Sequence, residues 1–168
     1  MEGSMGNMEV AETLSDQAVS DYEKERGKPM PSLNHGILQL HLGALLKRYE
    51  QFTVGSEITL DLSPKATPDI LIFNKRKPNW QHDEKRVSEM PLTVIEILSG
   101  TQGLDNFDEK LTRYFNAGIK SVWLVQPFIE TIAIFLPNQK PKVFSTGELF
   151  DEATGIRLSL AEIFEEIP

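Results

Sequence analysis

Apolar and polar positions alternate along this chain with two different periods, and the change of period marks out its elements. Residues 13–26 read as a short helix with Ser15 as N-cap and a charged end, DYEKER, broken by Gly27, Pro29 and Pro31. Ser32 caps a second helix that runs to about Gln51, where Leu33, Ile37, Leu40, Ala44 and Leu45 recur at helical spacing and Lys47-Arg48 suit the C-terminal end. Three strand-like segments follow: FTVGSEITLDL (52–62), PDILIF (68–73) and LTVIEIL (92–98). The last is nearly continuous in apolar residues, as a strand covered on both faces should be. A helix over 104–117 carries Leu104, Phe107, Leu111 and Phe115 on one stripe and stops at Gly118. Segments 121–127, 131–137 and 142–146 read as further strands, and SLAEIFEEI (159–167) as a closing amphipathic helix. The order predicts an α/β fold: a central mixed sheet flanked by helices, with a C-terminal hairpin and helix.

With 168 residues, a single domain over 13–168 after a disordered leader at 1–12 is expected. The absence of cysteine excludes disulfides, thiolate metal sites and cysteine nucleophiles, and fits a cytoplasmic protein. No apolar run is long enough to span a membrane, and MEGSMGNMEV lacks the pattern of a signal peptide. The net charge of −8 argues at first against a nucleic-acid partner. That acidity is concentrated at the two ends: residues 1–26 hold seven acids and two bases, and residues 148–168 six acids and one base. The region between carries 12 acids and 14 bases.

Three residues stand out chemically. Glu96 lies in the middle of an apolar strand, on one face with Leu92, Val94 and Leu98. A buried carboxylate is costly unless it is paired, protonated or metal-bound. Glu96 is therefore either half of a buried ion pair with a lysine or arginine, or a metal ligand or acid–base group at the sheet edge. Asp69 begins a strand after Pro68; alone it reads as a strand-entry residue, and beside Glu96 it makes a pair able to hold hard divalent cations. Lys110 flanks the apolar stripe of its helix next to Tyr114, where it either faces solvent or presents its ammonium to the sheet edge. Common alternatives are missing: there is no Gly-rich phosphate loop, H-E-x-x-H motif or G-x-S-x-G elbow.

The segments PDILIF, VIEILSG and DEKLTRYFNAGIKSVWLVQP resemble the Uma family of restriction endonucleases, within the PD-(D/E)XK, or restriction-endonuclease-like, superfamily. The resemblance covers roughly residues 30–137 and implies an αβββαβ core. It implies that Asp69 is the aspartate of the PD motif and Glu96 the acidic residue of the (D/E)XK motif. That motif's lysine would fall at Leu98, and the resemblance assigns its task to Lys110. His35 stands where relatives carry a histidine, and is either a substrate or metal contact or a structural residue. Glu57 is either a third carboxylate or a charge on the sheet's solvated face, and Tyr114 is an accessory candidate. The chain departs from the family at Gly100, Asn106 and Gln126.

These features together predict a Mg²⁺-dependent endonuclease (Mn²⁺ serving as well) that cleaves DNA as a homodimer. The loop with Lys75, Arg76, Lys77, Trp80, His82, Lys85 and Arg86 is a candidate nucleic-acid contact, although Asp83, Glu84 and Glu89 dilute its charge. Two alternatives are a catalytically silent nucleic-acid or protein-binding module that keeps the fold, with Glu96 paired internally, and a phosphoesterase acting on nucleotides or RNA.

Overall fold

The structure is a computed structural model and describes Lys24 and residues 30–99 and 103–165. The expected leader, almost all of the helix expected at 13–26 and the departure at Gly100 lie outside the described residues. Residues 32–99 and 103–165 belong to one compact unit.

The unit opens with α1 (Leu33–Leu46), whose Ser32 hydroxyl accepts from the His35 N–H at 3.3 Å. The helix stops earlier than the sequence predicts. Tyr49 is drawn away to β8 (Ile156–Ser159), where its hydroxyl donates to the Arg157 carbonyl and accepts from the Arg157 N–H. The buried side of α1 is also not the expected one. Leu38, Leu42, Leu45 and Leu46 pack inward with His35, whereas Leu33, Ile37 and Leu40 face solvent. This helix is apolar on two opposite sides, so periodicity alone could not choose between them.

Strands β1 (Phe52–Ser56), β2 (Ile70–Asn74), β3 (Thr93–Ile97), β4 (Ser121–Gln126), β5 (Thr131–Phe135) and β6 (Lys142–Phe144) form one sheet in chain order. Every neighbouring pair is antiparallel except β3 and β4, which are parallel and joined through α2 (Phe107–Asn116). β1 is shorter than the predicted 52–62 because Glu57 takes a left-handed φ of 57° and turns the chain. Ile58 then folds back over Gly55, where a Cβ would collide with its Cδ1. The predicted strands at 131–137 and 142–146 complete the central sheet. A separate hairpin, β7 (Glu148–Asp151) with β8, escaped the sequence reading and leads into α3 (Leu160–Phe164).

Alternation along the strands makes two cores. Ile70, Ile72, Ile95, Ile97, Trp123 and Val125 pack under α1 and the C-terminal hairpin. Leu71, Phe73, Val94 and Val122 pack with Tyr114 of α2 on the other face. Leu104, expected on the stripe of that helix, precedes it and is 54% exposed. Among the described residues no helix is long and apolar enough to cross a membrane.

The hairpin is fastened by a buried carboxylate, Asp151. Its Oδ2 accepts from Ser121 Oγ at 2.7 Å and Trp123 Nε1 at 2.9 Å, and its Oδ1 from the Ala153 N–H at 2.9 Å. Neutral donors thus satisfy a charge that would otherwise be expensive to bury. Replacing Asp151 by Ala leaves the indole N–H and the serine hydroxyl without this acceptor. We expect Asp151→Ala to lower unfolding free energy by about 2–4 kcal/mol in urea denaturation. A loss below about 1 kcal/mol, the scale of a typical neutral hydrogen bond, would show that the clasp is not structural.

Candidate active site

The antiparallel register of β2 and β3 pairs Ile70 with Ile95, Leu71 with Val94 and Ile72 with Thr93. One rung further sets Asp69 opposite Glu96. Directly opposed residues share a face and have Cβ atoms about 4.5–5.5 Å apart. Two carboxylates are therefore neighbours at one edge of the sheet, both nearly buried: Asp69 is 1% exposed and Glu96 6%.

Each carboxylate is held from the chain around it. Asp69 Oδ2 accepts the Ile97 N–H at 2.7 Å, so the first residue beyond Glu96 fixes the aspartate. Its Oδ1 lies 3.2 Å from His35 Nε2 at the start of α1. The other ring nitrogen, Nδ1, is buried and has no hydrogen-bond partner among the described residues. One turn further along α1, Gln39 Nε2 donates to the Asp69 carbonyl at 3.0 Å and to Glu57 Oε1 at 3.2 Å. The Glu57 N–H reaches the same carbonyl at 3.2 Å. Sequence reading missed Gln39; its signal is its place one helical turn after His35.

Glu96 is held from α2. Lys110 Nζ lies 2.8 Å from its Oε1, and the Tyr114 hydroxyl donates to the same oxygen at 2.7 Å. The two partners stand four residues apart and so share one helix face. Oε2 has no hydrogen-bond partner among the described residues. Burial, and then the Glu96 charge, push the Tyr114 phenol well above its ordinary range, which keeps it a neutral donor. Lys110 is 27% exposed on its side chain and stands at the mouth of the site.

The donor set fits a hard divalent cation. Among the described residues no three His, Asp or Glu side chains gather as a metal-binding group. A cation at Asp69 and Glu96 would have to complete its shell with water and phosphate oxygens, which is how Mg²⁺ is ordinarily bound.

Asp69, Glu96, Lys110, Tyr114, His35 and Glu57 thus come together, with Glu57 exposed at the rim. The basic loop does not join them. β2 runs away from Asp69, so Lys75 starts about 20 Å along the strand from it. Arg76 is engaged by Glu84 at 2.7 Å and Glu89 at 3.0 Å and lies over the Phe73 ring. Arg86 Nη1 lies 4.0 Å from Asp61. Lys75, Lys77, His82 and Lys85 are exposed, as is Trp80.

A family model described as "Putative restriction endonuclease", Uma2, matches residues 22–161. A crystal structure described as a putative nuclease belonging to DUF820 from Anabaena variabilis is similar in fold, with a TM-score of 0.68 and 20% sequence identity. The match covers 81% of this chain and 83% of that one. No curated protein matches the chain.

The raised phenol has a measurable consequence. An acid kept neutral by the fold contributes stability that is present below its unfolded pKa of about 10 and is lost as pH rises above it. In metal-free buffer, Tyr114→Phe should therefore show the same tyrosinate absorbance rise as wild type until alkaline unfolding begins. A smaller rise in the variant while both proteins remain folded would mean that Tyr114 ionises freely.

Proposed function

Because this chain belongs to the Uma2 family, we propose that it is a metal-dependent endonuclease that hydrolyses phosphodiester bonds in DNA. The observation that carries this reading is the pairing of Asp69 and Glu96 opposite each other on adjacent strands, with the Lys110 ammonium beside Glu96. Asp69 and Glu96 hold Mg²⁺, and Mn²⁺ can take its place. When bound, the ion lowers the pKa of an attacking water and draws charge from the scissile phosphate. The residues of the chain do the rest. The Ile97 N–H and His35 fix Asp69 in one orientation. Tyr114 holds Glu96 through Oε1 and leaves Oε2 without a hydrogen-bond partner among the described residues. Lys110 orients the attacking water and balances negative charge that develops on the phosphate oxygens. His35, Gln39 and Glu57 act as positioning residues. Cutting both strands of a duplex takes two such centres, so the working form in this reading is a homodimer.

A second reading, a catalytically silent binding module, draws on the same contacts. The Glu96–Lys110 ion pair compensates the buried charge without a metal. Gln126 stands where relatives carry an aspartate, and Asn106 stands at the start of α2 in a left-handed conformation without a side-chain cap.

Cleavage separates the two readings. Wild type with Mg²⁺ or Mn²⁺ should nick or linearise supercoiled plasmid. Asp69→Ala and Glu96→Gln should fall to background, and Lys110→Met should lose about 10²–10³-fold in rate. If wild type leaves duplex DNA, single-stranded DNA and RNA intact, the silent module is the right description.

A further inference from the structure

The outward face of α1 is apolar and stands open. Leu33 and Leu40 are each 78% exposed and Ile37 58%, on the side opposite the buried leucines. Residues 33–46 contain no Asp, Glu, Lys or Arg. Two glycines, Gly36 and Gly43, flank this stripe. A glycine inside a helix lowers stability by about 1 kcal/mol relative to alanine. At both positions a Cβ would meet nothing within 4 Å, so packing inside the chain gives no reason for them. A surface that approaches the helix from outside does.

We propose that this face is a homodimer interface, in which α1 packs antiparallel against α1 of a second copy about a two-fold axis through Leu40. The proposal stands on the helix face and does not depend on the chemistry of the carboxylates. With about 100° of turn per residue, the two-fold operation keeps each residue on its own side of the contact and places Ile37 of each copy against Ala44 of the other. On the other side it sets Gly36 against Gly43, where the backbones come closest. Leu33 lies along the aliphatic stem of Lys47. A bulky side chain in the first half of the helix thus meets a small one in the second half, and the glycines meet each other, so the face is self-complementary as an isologous contact requires. The groove between α1 and β1, lined by Gly36, Gly43 and Val54, runs beside that glycine contact.

The area fits as well. Ile37 shares a second groove with Pro127, and the adjoining Phe128 is 93% exposed. Three aliphatic side chains at about 100 Å² each and a phenylalanine at about 150 Å² give on the order of 450 Å² of apolar surface. A standard interface covers about 800 Å² per partner, of which about 65% is apolar in homodimers. An uncharged helix face also offers nothing to phosphate, so the occupant is a protein surface rather than a nucleic acid.

The chain has no cysteine, which makes a positional test clean. In the full-length protein, Leu40→Cys brings two thiols together at the axis, within disulfide reach. Leu33→Cys holds them about 20 Å apart along the helices. Mild oxidation should therefore cross-link the first variant and not the second. In sedimentation velocity wild type should run as a dimer. Leu40→Glu and Gly43→Leu should weaken association about thirtyfold or more and keep the wild-type circular dichroism. A monomeric wild type, a dimer that survives both substitutions, or equal cross-linking at positions 33 and 40 would overturn the proposal. So would a monomer in which an oligonucleotide slows alkylation of the Leu40→Cys thiol, since that result would make the face a nucleic-acid surface.

Discussion

Two carboxylates stand side by side on adjacent strands, and the surrounding structure is arranged to keep them there. Like charges at this distance repel, and burial adds to the penalty. The compensation comes from three directions. The β3 backbone donates to Asp69, α1 brings His35 to the same carboxylate, and α2 brings Lys110 and Tyr114 to Glu96. Helices α1 and α2 therefore each carry polar anchors into an otherwise apolar contact. Moving either helix would uncover a charge, so the position of the site and the packing of the two layers are fixed together.

The C-terminal hairpin uses the same principle without a cation. Asp151 is as deeply buried as Asp69, yet its oxygens accept only from neutral hydroxyl, indole and backbone donors. That difference in partners distinguishes a structural carboxylate from a candidate chemical one. Glu96 is opposed by a partly exposed ammonium and keeps one oxygen unbonded among the described residues, whereas Asp151 is enclosed on all sides.

Much of this was legible in the chain. The apolar run around Glu96 marked an anomalous charge, and the spacing of Lys110 and Tyr114 placed them on one helix flank. What failed were features that depend on distant partners. The inward face of α1 could not be read from periodicity, because Leu33, Ile37 and Leu40 form as good a stripe as Leu38, Leu42 and Leu45. Gln39 gains its role from a carbonyl thirty residues away. The β7–β8 hairpin consists of two four-residue strands whose alternation is too short to register, and β1 ends where Glu57 adopts a left-handed conformation that its residue type does not announce.

The central claim is that Asp69 and Glu96 form a working cation site rather than an internally balanced polar cluster. Thermal melting with and without Mg²⁺, on wild type and on Asp69→Asn and Glu96→Gln, tests it most directly. Binding to the folded state alone raises the midpoint. The account predicts that Mg²⁺ raises the wild-type melting temperature and leaves both variants unmoved. A wild type indifferent to Mg²⁺ and Mn²⁺, or variants that shift as much as wild type, would contradict it.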